Sequence, residues 1–271
     1  FGDYEAIEPI VRDYEVCLQE LELPEEHPHR VRHWCLRGAL LRMRGQDELA
    51  AELIDEAVDI ARAHDWRSEL ALALRFRGLI LSSQGAHSEA LAAFAEANLL
   101  FEELGEREYL ARTYASQGKC FGWLNMPREA IQAQSRALEL FEQLGLDSQI
   151  GLCHESISGQ YRHLDDPERA REHTRQALKL ARKLGNTRLE AAALNDLGHL
   201  ARTERKLDHA RRLHERAAEL YRRQSAGFNY EIVQLYRGLI EIADARWDEA
   251  RAYVVEAHTK LYEHHQHWIL P

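Results

Sequence analysis

The 271-residue sequence is poor in the features that most function classes require. No apolar run approaches the roughly 20 residues that a membrane-spanning helix needs, and no basic-then-apolar start resembles a signal peptide, so the expectation is a cytoplasmic chain with no membrane contact. Cysteine is scarce. The four thiols, Cys17, Cys35, Cys120 and Cys153, lie far apart without C-x-x-C spacing. That pattern argues against a disulfide framework or a structural zinc site and predicts buried, reduced thiols. An excess of positive charge is missing too: the formal net charge is −10 with a pI near 5.9, which excludes a general affinity for nucleic-acid backbones or anionic membranes. There is no phosphate-binding glycine loop, no nucleophile elbow and no H-E-x-x-H, so neither catalytic residues nor a cofactor are expected. An initiating Met is also lacking, and the chain ends on the apolar Trp268-Ile269-Leu270-Pro271; both suggest a piece of a larger protein.

What is present is a repeat. At 45% hydrophobic and 30% charged residues the chain is too apolar to be disordered, and its alanines recur at fixed intervals. Ala50, Ala90, Ala130, Ala170, Ala210 and Ala250 each stand forty residues after the last. A second series, Ala57, Ala97, Ala137, Ala177, Ala217 and Ala257, follows seven residues behind, two helical turns further along the same face. Gly38, Gly78, Gly118, Gly198 and Gly238 precede the first series by twelve residues, with Ser158 standing in, next to Gly159, in the fourth copy. A glycine that recurs inside helices, where it costs about 0.5–1 kcal/mol, predicts close helix packing.

Between glycine and alanine falls a break. Gly45-Gln46-Asp47, Gly85-Ala86-His87, Asn125-Met126-Pro127 and Asp165-Asp166-Pro167 occupy one phase, and their residue types suit a turn followed by a helix start. A second break comes at Leu104-Gly105, Leu144-Gly145 and Leu184-Gly185, where glycine suits the left-handed closure of a helix. Each repeat therefore reads as helix, short turn, helix. His27-Pro28-His29 reads as a polar connector before a helix.

Gly-x6-Gly, an alanine five residues on and another seven later resembles the tetratricopeptide repeat (TPR), over nearly the whole chain. The forty-residue period exceeds the common 34 and resembles the longer-helix variety of bacterial regulatory proteins, including arrays that precede diguanylate cyclase domains. Arg37, Arg77, Gln117 and Arg237 depart from the family's usual buried leucine before the glycine. The resemblance implies an all-α, TPR-type α-solenoid, a right-handed superhelix of antiparallel helix pairs. It would run as one array: residues 1–29 as the second helix of a truncated repeat plus connector, 30–265 as six helix pairs, and 266–271 as a tail towards a missing downstream region.

The resemblance also implies that the first helix of each pair lines a groove. Its phase places Arg112, Ser116, Lys119 and Trp123 on one stripe, Glu155, Arg162 and His163 on the next, and Asn195, His199 and Arg202 on a third. Arg32, Arg42, Arg75 and Ser82 precede them, and Ile232, Leu235 and Leu239 follow. We expect the peptide-binding groove to consist of Arg112, Ser116, Lys119, Glu155, Arg162, Asn195, His199 and Arg202, with asparagine bonding ligand backbone and cations meeting carboxylates. Trp123 is expected to pack at a helix end rather than anchor ligand. His258, His264, His265 and His267 cluster near the end, but no carboxylate or cysteine completes a metal site.

The function expected from these features is a protein- or peptide-binding scaffold, the regulatory or sensor segment of a larger bacterial signalling protein. One alternative is a homodimerisation module that uses apolar ends such as Tyr253, Trp268 and Ile269 to control a fused output domain. Another is part of a peptide-regulated phosphatase, which would need an acidic or amide residue aimed at a phosphate.

Overall fold

A computed structural model describes the backbone of residues 4–24, 26–224 and 227–266, and the side chains of 8–24, 26–224 and 227–262. Its described secondary structure is helical throughout. The chain divides into two compact units, residues 1–144 and 145–271. The first holds α1 (Tyr4–Glu20), α2 (Pro28–Met43), α3 (Asp47–Ala63), α4 (Arg67–Ser83), α5 (His87–Leu104), α6 (Arg107–Trp123) and α7 (Pro127–Leu144). The second holds α8 (Asp147–His163), α9 (Pro167–Leu184), α10 (Thr187–Thr203), α11 (Leu207–Arg223), α12 (Gly227–Ala243) and α13 (Trp247–Gln266). Even-numbered helices from α2 onwards are the first of each pair and the odd-numbered ones that follow them are the second. In unit 1, α4 packs against α2 and α6; in unit 2, α10 packs against α8 and α12.

The repeated small residues explain the pairing. All twelve phased alanines are buried. A Cβ added to Gly38, Gly78, Gly118, Gly198 or Gly238 would lie 2.6–2.8 Å from Ile54, Phe94, Gln134, His214 or Val254 respectively, in each case the residue sixteen positions on. Glycine is therefore the space into which the second helix of the same pair inserts one side chain. In the fourth pair Ser158, not Gly159, fills this role: its hydroxyl donates to the Ala170 carbonyl at 3.0 Å and lies 2.6 Å from the Thr174 hydroxyl. A Cβ on Gly159 would meet only the end of the Arg162 side chain, at 3.8 Å. Phe94, Phe101 and Phe141 are fully buried in unit 1, each contributing roughly 2–3 kcal/mol.

The breaks are tight left-handed closures. After the first helices, Gly45, Gly85, Asn125, Asp165, Arg205 and Ala245 all take positive φ, as do Gly105, Gly145 and Gly185 after second helices. The next amide then reaches back five residues, as Gln46 N–H does to the Leu41 carbonyl at 2.9 Å. Pro127 and Pro167 begin α7 and α9, and the Asp166 carboxylate caps α9 by accepting from the Arg169 amide at 3.1 Å. His27 caps α2, with Pro28 in its first turn.

Some expectations need correction. Cys35, Cys120 and Cys153 are buried, but Cys17 is exposed on α1. Tyr253 is not a free apolar end: its hydroxyl accepts from Arg237 at 2.8 Å, and that guanidinium covers its ring. The side chains of His264 and His265, and the whole of His267, Trp268 and Ile269, lie outside the described residues. No helix among the described residues is long and apolar enough to cross a membrane.

Candidate functional site

Residues forty apart occupy equivalent places on successive helices, so charge that recurs at one phase collects along the first-helix face. In unit 1 this produces a pocket of about 470 Å³ at the carboxyl ends of α2, α4 and α6. Arg42, Ser82, Ser116, Lys119 and Trp123 line it, with His87 from the start of α5. The Arg42 Nε and His87 Nδ1 are buried without a hydrogen-bond partner. No carboxylate lines the pocket. Ser82 accepts from the Cys120 thiol at 3.4 Å, and burial pushes the pKa of that thiol up, which keeps it uncharged.

Trp123 departs from the expected packing role. Its side chain is 75% exposed at the end of α6, and the His87 ring lies nearly parallel to it with centroids 6.0 Å apart. It forms an aromatic wall of the pocket, since the turn that follows leaves no neighbour to cover it.

Beyond the pocket the same face carries Arg75 on α4. Burial pushes its pKa down to about 10, with the Arg112 guanidinium, and less strongly Arg42, acting in the same direction. Its Nε also lacks a partner. Arg112 is neutralised locally, donating to Glu108 at 2.7–2.9 Å, and Ser116 donates to the Arg112 carbonyl at 3.0 Å. Arg32 pairs with the buried Glu69 at 2.8 Å. Positive charge without nearby acid is thus concentrated on Arg42, Arg75 and Lys119.

Unit 2 has a pocket at the corresponding place, about 260 Å³, lined by Arg162, Asp165, Asp166, Pro167, His199, Leu200, Thr203 and Glu204. Arg162 matches Arg42 and Ser82 in phase, and His199 matches Lys119. The electrostatics differ. Arg162 Nη1 lies 3.1 Å from Asp196 Oδ1, and burial raises the Asp196 carboxyl to about 6 against the opposing pull of that guanidinium. Burial, with the charges of Arg162 and Arg202, lowers His199 to about 4. Asn195, expected to serve ligand backbone, instead hydrogen-bonds His214 at 3.1 Å, and burial lowers His214 to about 3. Arg202 Nε and His199 Nδ1 are buried without partners, and Glu155 is half-buried near Asp196.

Among the expected groove residues, Ser116 and Lys119 therefore meet in one pocket and Arg162 and His199 in another, while Arg112 and Asn195 are held by neighbours. Asp196 and His87 were missed. Asp196 falls in a series otherwise occupied by Leu36, Phe76, Ser116, Ser156 and Tyr236, so a lone acid in an uncharged series was its signal. His87 sits where other repeats start their second helix, and nothing in its series marks it.

Known proteins can be set beside this geometry. Residues 154–223 match the tetratricopeptide repeat family. No curated protein matches in sequence. Among solved structures, the apo form of RapI is similar over 95% of this chain and 93% of its own, at 14% identity and a TM-score of 0.73. The apo quorum sensor NprR from B. thuringiensis is similar over 92% of this chain and 70% of its own, at 19% identity and a TM-score of 0.72. NprR in complex with its cognate peptide NprX is similar over 91% and 71%, at 19% identity and a TM-score of 0.69. These matches place residues 154–223 in the tetratricopeptide repeat family and give the described helix pairs of both units the fold of that repeat.

Proposed function

We propose that this chain is a protein- or peptide-binding scaffold that receives an acid-bearing segment of its ligand on the first-helix face of unit 1, as the regulatory or sensor part of a larger signalling protein. One observation carries the reading: Arg42 and Lys119 line a pocket that holds no carboxylate, on a chain of net charge −10. Guanidinium and ammonium groups held beside apolar and hydroxyl side chains bind carboxylates through charge-assisted hydrogen bonds. Trp123 and Leu79 supply apolar surface beside them. The solved complex of NprR with a peptide supports a peptide as the ligand class. The test is retention of the whole chain on an array of short peptides differing in acid content. Peptides with one or two acidic residues should retain the wild type and lose a variant carrying Arg42→Ala and Lys119→Ala. Equal retention of neutral peptides, or of the variant, contradicts the reading.

A further inference from the structure

Unit 1 has a second pocket of about 500 Å³, formed by α5, α6 and α7. Helix α6 contributes Ser116, Lys119 and Trp123 to the pocket described above and Tyr114, Gln117 and Phe121 to this one. Each pair of residues is two positions apart, about 200° around the helix, so the two pockets lie on opposite faces of α6. On its floor Asn98 is 6% exposed and Gln117 9%. Asn98 Nδ2 donates to Gln117 Oε1 at 2.9 Å, and Asn98 Oδ1 is left buried without a partner. Eighty residues on, in unit 2, the same positions are Leu178 and Leu197. The fold therefore accommodates leucine at both phases, and the amide pair, with its unmet acceptor, is particular to this repeat.

The remainder of the lining shows what would meet that acceptor. Glu102 and Glu129 stand at the rim; Glu102 accepts from the Tyr114 hydroxyl at 2.8 Å, and Glu129 has no ion pair among the described residues. The one cation, Arg136, lies over the Tyr114 ring and donates to its hydroxyl at 3.3 Å. Two carboxylates and an orphan carbonyl oxygen thus surround a cavity whose walls include Ala95, Leu99 and Phe121. A planar, weakly hydrated cation with several fixed donors fits acceptors set among apolar walls better than a compact ammonium does.

We propose that this pocket binds the guanidinium of an arginine side chain on a partner polypeptide, independently of any ligand on the other face of α6. The guanidinium would donate to Asn98 Oδ1 and to Glu129, with its stem against Leu99 and Phe121.

The test titrates the whole chain with a capped Gly-Arg-Gly peptide and with its citrulline counterpart, the neutral isostere, following the side-chain amide resonances of Asn98 and Gln117. The arginine peptide should shift both resonances saturably and bind at least about tenfold more tightly than the citrulline peptide. The double variant Asn98→Leu, Gln117→Leu, which imitates unit 2, should fold with undiminished thermal stability and lose arginine binding, followed there by the resonances of the surrounding methyl groups. Should that variant fail to fold, Glu129→Gln on the exposed rim gives the same reading through a weaker arginine affinity. Equal responses to the two peptides, no response to arginine, or undiminished arginine binding by a folded variant would overturn the proposal.

Discussion

Units 1 and 2 place pockets at the same phase of the repeat but treat charge in opposite ways. In unit 1, Arg42 and Lys119 face a cavity without acid, and Arg75 is half-buried beside other guanidiniums. In unit 2, Arg162 is answered by Asp196, and Lys119 gives way to His199, which burial holds neutral. Outside the pocket, Arg211 pairs with Glu241 at 2.9 Å and also with Asp244. A helix-pair scaffold fixes where side chains go, and their partners decide whether a cation holds the fold together or remains available to a ligand.

Removing the same kind of charge from each unit should separate them most strongly. Arg42→Ala with Lys119→Ala should weaken an acidic peptide roughly 100-fold, two charge-assisted bonds at about 1.5 kcal/mol each, with little change in melting temperature. Arg162→Ala should do the reverse: binding within about threefold, and stability lower by roughly 1–2 kcal/mol, because Asp196 is left buried without its partner. Calorimetric titration and thermal melts of both variants check this, and a loss of binding from Arg162→Ala would erase the distinction.

Acidification should separate the units next. Burial lowers His154 to about 4, His199 to about 4 and His214 to about 3, and lowers His173 as well; His154 and His173 lie 2.9 Å apart between ring nitrogens. The unfolded chain takes up protons at these sites first, near pH 6.5, so stability present above that pH is lost as pH falls towards 4. Asp196, raised to about 6, works in the opposite sense, because the folded state protonates first. Four lowered histidines against one raised carboxyl leave a net loss of stability as pH falls from about 6.5 towards 4. Amide exchange on the whole chain should show protection falling in α8–α11 more than in α3–α6. A uniform loss, or none, contradicts the assignment.

The smallest effect lies in the turns. After the first helices, unit 1 uses Gly45 and Gly85 at the left-handed position, with φ of 74° and 82°, where unit 2 has Arg205 and Ala245 at 61° and 57°. Gly85→Ala should cost about 1 kcal/mol, and Ala245→Gly should stabilise by about 0.5 kcal/mol. Thermal melts of the two single variants should shift in opposite directions.

The fold was legible because its signals are local and repeated. A forty-residue glycine, alanine and turn phasing specifies helix lengths, breaks and contact faces together, and even Ser158 was found by its phase. The site was legible only as a face. Phase put Ser116 and Lys119 on one side of α6, where they line a common pocket, yet could not show that Asn195 is taken by His214 or that Arg162 is answered by Asp196. Those facts depend on partners nineteen and thirty-four residues away. Trp123 was misjudged because aromatic burial is a statistical habit, whereas its place at a helix end next to a tight turn removes the neighbours that would bury it.

The most direct test of the central claim is calorimetric binding of one acid-bearing peptide, chosen from the array, against the same peptide with its Asp and Glu changed to Asn and Gln. Tight binding of the acidic form alone, abolished by Arg42→Ala with Lys119→Ala and retained in Arg162→Ala, is the predicted result. Equal affinity for the two peptides, or loss through Arg162 rather than through Arg42 and Lys119, would contradict it.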